Sequence, residues 1–142
     1  MSVQAILKEK GYSVVTAPRE ASVQEVCHLL HEKHIGAVVV VDAENRIEGI
    51  FTERDVVAAI SKRGVQCLAE PLGEVMWRNV FCCTRHTSIT ILMDIMNMHR
   101  ARHLPVEHNG RLAGIVSIGD AVRHHIKAIE YEAEYIRSYI TG

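Results

Sequence analysis

A short motif occurs twice in the sequence, and this repetition restricts the fold more than any other feature. Gly49–Asp55 reads GIFTERD, and Gly114–Asp120 reads GIVSIGD. Similar residues upstream of each copy extend the match to two segments, at about 13–63 and 79–127, joined by a linker over 64–78. An internal duplication of this length predicts two copies of one supersecondary unit, each too small to bury its apolar face alone.

Each copy predicts the same order of elements, which is strand, helix, strand, strand, helix. In the first helix, Ser22 followed by Glu25 forms a capping-box pattern, and the apolar residues after it recur with helical spacing. The second helices are predicted to begin at Thr52 and Ser117, directly after a strand. The predicted strands are Ser13–Thr16, Ala37–Val41 and Ile47–Phe51 in the first repeat, and Asn79–Cys82, His103–Val106 and Leu112–Val116 in the second.

The pattern predicts a mixed α/β (α+β) fold made of two pseudo-symmetric β-α-β-β-α repeats. A three-stranded sheet with both helices on one face leaves its other face uncovered, so we expect the two repeats to pack sheet to sheet. Residues 1–12 are expected to form a helical lead, and 128–142 a helical extension at the C-terminus. That extension continues an apolar stripe at helical spacing, formed by Ile126, Ile129, Ala133, Ile136 and Ile140.

Composition excludes several classes of function. The formal net charge is -1, so no general positive field favours nucleic acid. The apolar run Ala37–Val41 has the length of a strand and is far too short to span a membrane. The four cysteines lack a C-x-x-C spacing, and no export signal is recognisable, so we expect reduced thiols and a cytoplasmic protein.

The tandem repeat resembles a pair of CBS domains, the nucleotide-sensing modules named after cystathionine β-synthase. The resemblance rests on the paired G-h-x-[ST]-x-x-D motif, on Arg102–Val106 and on Glu74–Met76. It implies a regulatory module that binds AMP, ADP, ATP, NAD or S-adenosylmethionine in two clefts between the repeats, needs no other cofactor, and signals to a regulated partner protein. Paired modules of this family commonly form homodimers, so the resemblance also implies a homodimer.

The resemblance assigns ligand roles to the polar residues of the two motifs. Asp55 and Asp120 would hold the ribose hydroxyls, with the hydroxyl groups of Thr52 and Ser117 close to the sugar or phosphate. A carboxylate can accept two hydrogen bonds from vicinal hydroxyls, and a helix N-terminus favours an anion. The alternative is a capping box at each helix start, and the two roles can coexist.

The resemblance also implies that the two clefts differ in phosphate affinity. Arg102 stands where several family members bind phosphate, with His103 beside it, whereas the first repeat has no basic residue there. A phosphate contact in the first repeat would come from Arg54, and the second motif has Gly119 in its place. The other candidate ligand-contacting residues are apolar or backbone positions, namely Val14, Ile35, Gly36, Ala37 and Val80.

Other readings of the sequence remain open. The protein could be a dimeric scaffold with vestigial clefts. It could also sense metal or thiol oxidation through the histidines at 28, 31 and 34 or through Cys82 and Cys83, although no carboxylate is grouped with those histidines. No nucleophile elbow, phosphate-binding glycine loop or zinc-protease spacing occurs, so no catalytic residue is predicted and the chain is not expected to be an enzyme.

Overall fold

The computed structural model describes residues 1–141, which form a mixed α+β fold as the sequence predicts. Within them, the α-helices are α1 (Val3–Lys10), α2 (Val23–Lys33), α3 (Glu53–Arg63), α4 (Ile89–His99) and α5 (Ile118–Thr141). The strands are β1 (Thr16–Ala17), β2 (Ala37–Val41), β3 (Ile47–Thr52), β4 (His103–His108) and β5 (Arg111–Ser117). Two short 3-10 helices, Val65–Ala69 and Leu72–Glu74, lie in the linker.

The chain forms two compact units. The first unit contains residues 13–80 and 107–113, and the second contains residues 1–12, 81–106 and 114–141. The first repeat therefore lies in the first unit with the linker, whereas most of the second repeat lies with α1 and α5. Residues 1–12 thus pack with the repeat that follows them by about 70 residues and not with their neighbour in sequence.

The first unit is built on a three-stranded sheet in the order β1-β2-β3. Strand β2 pairs parallel with β1 and antiparallel with β3, and Ala37 lies opposite Thr52 in the register. The capping box predicted for α2 is present, since Ser22 accepts from the backbone of Glu25 and the Glu25 carboxylate accepts in return. The core of this unit combines the buried face of α2 with the sheet and the linker, through Val23, Val26, Leu30, Val38, Val40, Phe51 and Leu72.

Strands β4 and β5 form a hairpin whose turn follows the sequence prediction. Asn109 and Gly110 connect the strands, with φ angles of 52° and 77°. Two consecutive positive φ angles are typical of a type I′ turn, which matches the twist of a two-residue hairpin. Ser88 caps α4 by accepting from the backbone N–H of Ile91.

The two predictions for the first strand of each repeat are wrong. In the first repeat the strand is Thr16–Ala17 and not Ser13–Thr16. It ends before Pro18, because proline has no N–H with which to continue the ladder. In the second repeat, no strand forms at Asn79–Cys82. A single parallel bridge joins Cys83 to β4, where the carbonyl of Pro105 accepts from Cys83 but Pro105 has no N–H to extend the pairing.

The N-terminal segment packs on the second unit through backbone pairing and an apolar face. Ser2 bridges Ser88, and the backbone N–H of Val3 donates to the carbonyl of Thr87 at 2.9 Å. Along α1, Val3, Ile6 and Leu7 are at most 1% exposed. Helix α1 is therefore an integral part of the core of this unit.

The linker packs on the first unit in the corresponding way. Pro71 bridges Ser22, which corresponds to Ser88, and the backbone N–H of Leu72 donates to the carbonyl of Ala21 at 2.7 Å. Leu72 is fully buried, as is Val3. The segment that precedes the second repeat thus covers the first repeat, while the segment that precedes the first repeat covers the second.

Helix α5 extends well beyond the second repeat. Every residue from Ile129 to Thr141 is exposed, so this part of the helix does not fold back over the repeats. Gly142, the last residue of the predicted extension, lies outside the described residues. Within residues 1–141, no helix combines the length and the apolar character that a membrane span requires.

Candidate functional site

The first motif forms the N-terminus of α3. Thr52 is the N-cap, and its backbone N–H donates to Oδ2 of Asp55 at 2.8 Å. The Thr52 hydroxyl donates to the same oxygen at 3.1 Å and accepts from the backbone N–H of Asp55 at 3.4 Å. Among residues 1–141, no group donates to Oδ1 of Asp55, so one oxygen of this carboxylate is available to a ligand.

The other candidate residues of the first repeat surround this helix start to different degrees. The carbonyl of Gly36 accepts from the backbone N–H of Glu53 at 3.0 Å, and Ala37 pairs with Thr52 across the sheet. The structure thus places Gly36 and Ala37 beside the motif. Arg54 is exposed and makes no ion pair within the described residues. Three further candidates are half-buried in this unit, namely Val14, Ile35 and Val80.

The second motif forms the N-terminus of α5 with the same backbone geometry. The backbone N–H of Ser117 donates to Oδ2 of Asp120 at 2.9 Å, and the backbone N–H of Asp120 donates to the Ser117 hydroxyl at 3.1 Å. The carbonyl of Arg102 accepts from Ile118 at 2.8 Å, which places the Arg102 backbone beside the helix start. The Arg102 side chain and Gly119 are exposed, and His103 is half-buried.

Asp120 differs from Asp55 because two cations hold its carboxylate. Nζ of Lys10 donates to Oδ2 at 2.8 Å, and Nη2 of Arg123 donates to Oδ1 at 2.9 Å. Asp120 is only 6% exposed. Its burial opposes ionisation, but the hydrogen bonds from Lys10 and from the backbone of Ser117 outweigh that effect and lower the pKa of Asp120 to about 2.

Sequence analysis did not find these two cations. Arg123 follows Asp120 by three residues on α5, a spacing at which helical side chains meet, so it could have been recognised. Lys10 lies 110 residues away in the sequence, and no local pattern connects it with Asp120.

A second charged contact joins α1 to α5. Nζ of Lys127 donates to both carboxylate oxygens of Glu9, at 3.1 and 3.2 Å. This hydrogen bond lowers the pKa of Glu9 below its usual value. Nε2 of His124, a residue only 3% exposed, lies 3.1 Å from Oε2 of Glu9. The C-terminal end of α1 is therefore held at the start of α5 by two adjacent residues, Glu9 and Lys10.

The geometry of the two helix starts agrees with a comparison with known families, in which the model described as "CBS domain" matches residues 9–62 and 72–127. The chain belongs to the CBS domain family. The two matches together cover most of the chain, and each contains one of the motifs that cap α3 and α5.

Solved CBS proteins share the fold. The CBS-domain containing protein of Agrobacterium tumefaciens is 45% identical, with a TM-score of 0.85, over 88% of this chain and 99% of that one. The CBS domain pair of protein MJ0100, in complex with 5′-methylthioadenosine and S-adenosyl-L-methionine, is 23% identical with a TM-score of 0.80, over 90% of this chain and 98% of that one. At this lower identity the likeness concerns the fold.

A relative known from its sequence is a 17.7 kDa protein of Acidianus ambivalens. It is 40% identical over 103 residues, which make up 72% of this chain and 61% of that protein. This chain therefore matches less than two thirds of the length of that relative.

Contrary to the sequence prediction, a carboxylate does lie beside the histidines of α2, since Oε2 of Glu32 is 3.6 Å from Nε2 of His28. Among residues 1–141, no three His, Cys, Asp or Glu side chains are grouped so that they could hold a metal ion. Cys83 faces the core, as the alternation of Cys82 and Cys83 along an extended segment allows, and its burial raises the pKa of its thiol to about 12. Cys82 is half-buried.

A cavity of about 560 Å³ lies in the first unit, at the end of β2 opposite to the motif. Its lining includes Val41, the last residue of β2, whereas Thr52 pairs with Ala37, the first residue. Arg19 and Glu48 form an ion pair at 3.3 Å in its wall. None of the residues predicted to bind the ligand lines this cavity.

Proposed function

We propose that this chain is a regulatory CBS module that binds an adenosine-containing ligand and communicates its occupancy to a partner protein. The observation that carries the proposal is the motif at α3, where a capped helix start presents a carboxylate with one oxygen that has no hydrogen-bond donor among residues 1–141. The ligands of the MJ0100 pair, 5′-methylthioadenosine and S-adenosyl-L-methionine, are both adenosine compounds, which supports this ligand class.

Ribose binding uses the carboxylate oxygen that takes no part in capping the helix. At α3, Thr52 engages Oδ2 of Asp55 and fixes the rotamer of the side chain. Oδ1 then accepts from a ribose hydroxyl, a charge-assisted hydrogen bond of the stronger kind. Capping and binding are therefore complementary roles of one side chain, and the cap orients the carboxylate before the ligand arrives.

The phosphate groups of a nucleotide would meet an arginine near each motif. Arg54 is within the first motif, and Arg102 contributes its carbonyl to the start of α5, with His103 next to it. AMP, ADP, ATP and NAD carry phosphates that these residues can bind, whereas S-adenosylmethionine carries none. No metal or other cofactor is needed for this binding, and the proposed role is regulatory and not catalytic.

The exposed stripe of α5 supports a homodimer as part of the proposed function. Its residues recur at alternating steps of three and four, which is the spacing of a two-helix seam, and they are large and aliphatic apart from Ala133. Ile129 is 53% exposed, Ile136 50% and Ile140 77%. A contiguous apolar face of this kind is rare on monomers, and a second copy of the same helix presents a matching seam.

Thermal unfolding tests the ligand proposal directly. A ligand that binds only the folded state at 100 times its dissociation constant adds about 2.7 kcal/mol to the free energy of unfolding. We expect at least one compound among AMP, ADP, ATP, NAD and S-adenosylmethionine to raise the melting temperature, and mass spectrometry of molecules released from freshly purified protein to identify a copurifying adenosine compound. Unchanged melting with all five compounds would contradict the proposal and favour a scaffold role.

A further inference from the structure

The two motif carboxylates occupy equivalent positions in sequence but have different partners. Within residues 1–141, the carboxylate of Asp55 receives its hydrogen bonds from Thr52 alone, and both of them end on one oxygen. Asp120 receives hydrogen bonds on both oxygens, from Ser117, Lys10 and Arg123. A vicinal diol needs free acceptor positions on the carboxylate. Arg123 holds Oδ1 of Asp120, the oxygen that Thr52 leaves open on Asp55, and Lys10 shares Oδ2 with the backbone of Ser117.

Lys10 has no counterpart in the first unit. There the linker continues in extended form, and the backbone of Trp77 pairs with Ile50 in both directions, at 3.0 and 2.9 Å. In the second unit the corresponding carbonyl, that of Ile115, instead accepts from Nζ of Lys10 at 3.1 Å. The ammonium group of Lys10 thus joins the strand end and the motif carboxylate, two groups that the linker leaves separate in the first unit.

Lys10 is also firmly placed. It is the last residue of α1, whose apolar face is fully buried, and its neighbour Glu9 is hydrogen-bonded to Lys127. The Lys10 side chain itself is 31% exposed, so it can leave Asp120 while the helix stays in place. The contact with Asp120 is therefore made by a side chain that can move on a helix that stays in place.

We propose that Lys10, together with Arg123, determines which motif takes the ligand: the two cations occupy both oxygens of Asp120 in place of the ribose, so that Asp55 provides the high-affinity site. This inference rests on the proposed adenosine binding. The second motif binds ribose only when the Lys10 ammonium group and the Arg123 guanidinium group move away. The N-terminal helix, which lies outside both repeats, therefore sets the order in which the two motifs are filled.

The contact itself is tested without ligand. We expect Lys10→Met to lower the melting temperature of the wild-type chain by more than that of Asp120→Asn, because in the variant the ammonium group keeps the carbonyl of Ile115 but has no carboxylate to bind. Lys8→Met, an exposed lysine on the same helix without a partner among the described residues, is the matched control and should have no effect. Equal effects of Lys10→Met in both backgrounds would overturn the proposal.

The choice of site is tested by calorimetry of the full chain with adenosine, which has no phosphate that could attract Lys10. We expect Asp55→Asn to remove the strong binding event and Asp120→Asn to retain it. In the Asp55→Asn background, Lys10→Met combined with Arg123→Met should raise the affinity for adenosine by about tenfold or more, since charge-assisted hydrogen bonds to Asp120 no longer compete. If Asp120→Asn removes the strong event, or if this double substitution does not raise the affinity for adenosine, the proposal is wrong.

Failure of the ligand proposal gives a different result. In that case neither adenosine nor any of the five adenosine compounds binds the wild type, the Asp55→Asn variant or the Lys10→Met variant, and the site assignment is overturned with it. The melting experiment would still show whether Lys10 and Asp120 interact. The two failures are therefore distinguishable.

Discussion

Leu7 of α1 lies against Gly114 of β5 so closely that a Cβ atom on Gly114 would be 2.8 Å from Cδ2 of Leu7. The first unit has the same relationship, since a Cβ atom on Gly49 would be 2.6 Å from Sδ of Met76. These are the two glycines that open the repeated motifs. They are required because α1 in one unit and the linker in the other pack directly on the strand.

This packing predicts that Gly114→Ala destabilises the protein. Overpacking a core contact of this kind costs about 1–3 kcal/mol, and we expect that decrease in the free energy of unfolding measured with urea. Gly119→Ala is the matched control, because its Cβ atom would be 3.6 Å from Oγ of Ser117 and alanine favours a helix. A Gly114→Ala variant as stable as the control would show that Leu7 yields without cost.

The lowered pKa of Asp120 predicts a dependence of stability on acid pH. The pKa is about 2 in the folded state against 3.8 for the unconstrained carboxyl, so the contribution is complete above about pH 4 and is lost as the pH falls towards 2. We expect the wild type to exceed Asp120→Asn by about 2 kcal/mol at pH 7 and the difference to shrink between pH 4 and pH 2. Urea unfolding at several pH values measures it, and a difference that stays constant down to pH 2.5 would contradict this assignment.

The burial of Cys83 predicts unequal thiol reactivity. Its raised pKa, about 12, leaves almost no thiolate at pH 8, and its side chain is shielded in the core. We expect iodoacetamide to modify the half-buried Cys82 before Cys83 and before the fully buried Cys67. Peptide mass mapping after brief labelling, with the urea-unfolded protein as control, checks this order. Labelling of Cys83 as fast as Cys82 in the folded protein would refute it.

The exposed stripe of α5 predicts a dimer that aspartate substitutions dissociate. We expect light scattering during size exclusion to give twice the chain mass of 15.9 kDa for the wild type. The variant that combines Ile129→Asp with Ile136→Asp should have the mass of one chain. Two buried carboxylates cannot be desolvated without a partner charge. Glu134→Gln, one position after Ala133 on the same helix, should remain dimeric. A dimer that survives the double substitution would place the interface elsewhere.

The exposed guanidinium of Arg102 predicts a preference for phosphate. We expect Arg102→Ala to weaken the binding of AMP at the second motif by about tenfold and to leave the binding of adenosine there nearly unchanged, because a charge-assisted hydrogen bond to phosphate is lost only with AMP. Titration calorimetry with both compounds measures the difference. Equal weakening of the two would remove Arg102 from the phosphate role.

Local features of this protein follow from the sequence by itself. The capping box from Ser22 to Glu25 and those that start α3 and α5 join residues three apart, and the turn at Asn109-Gly110 depends on two adjacent residues. Such interactions are formed within one turn of backbone, so residue types at fixed spacing are sufficient to predict them. The duplication is likewise visible without a structure, and it led to the correct family and fold class.

Contacts between distant segments were decided only by the tertiary structure. The strand predicted at Asn79–Cys82 does not form, because strand pairing depends on what the partner strand can offer, and Pro105 offers no N–H. Lys10 and Asp120 are 110 residues apart, and their pairing depends on α1 packing with the second repeat and not with the first, which follows it directly. Nothing in the spacing of residues encodes that choice, since the free energy of burying Leu7 against Gly114 exists only when both segments are in place.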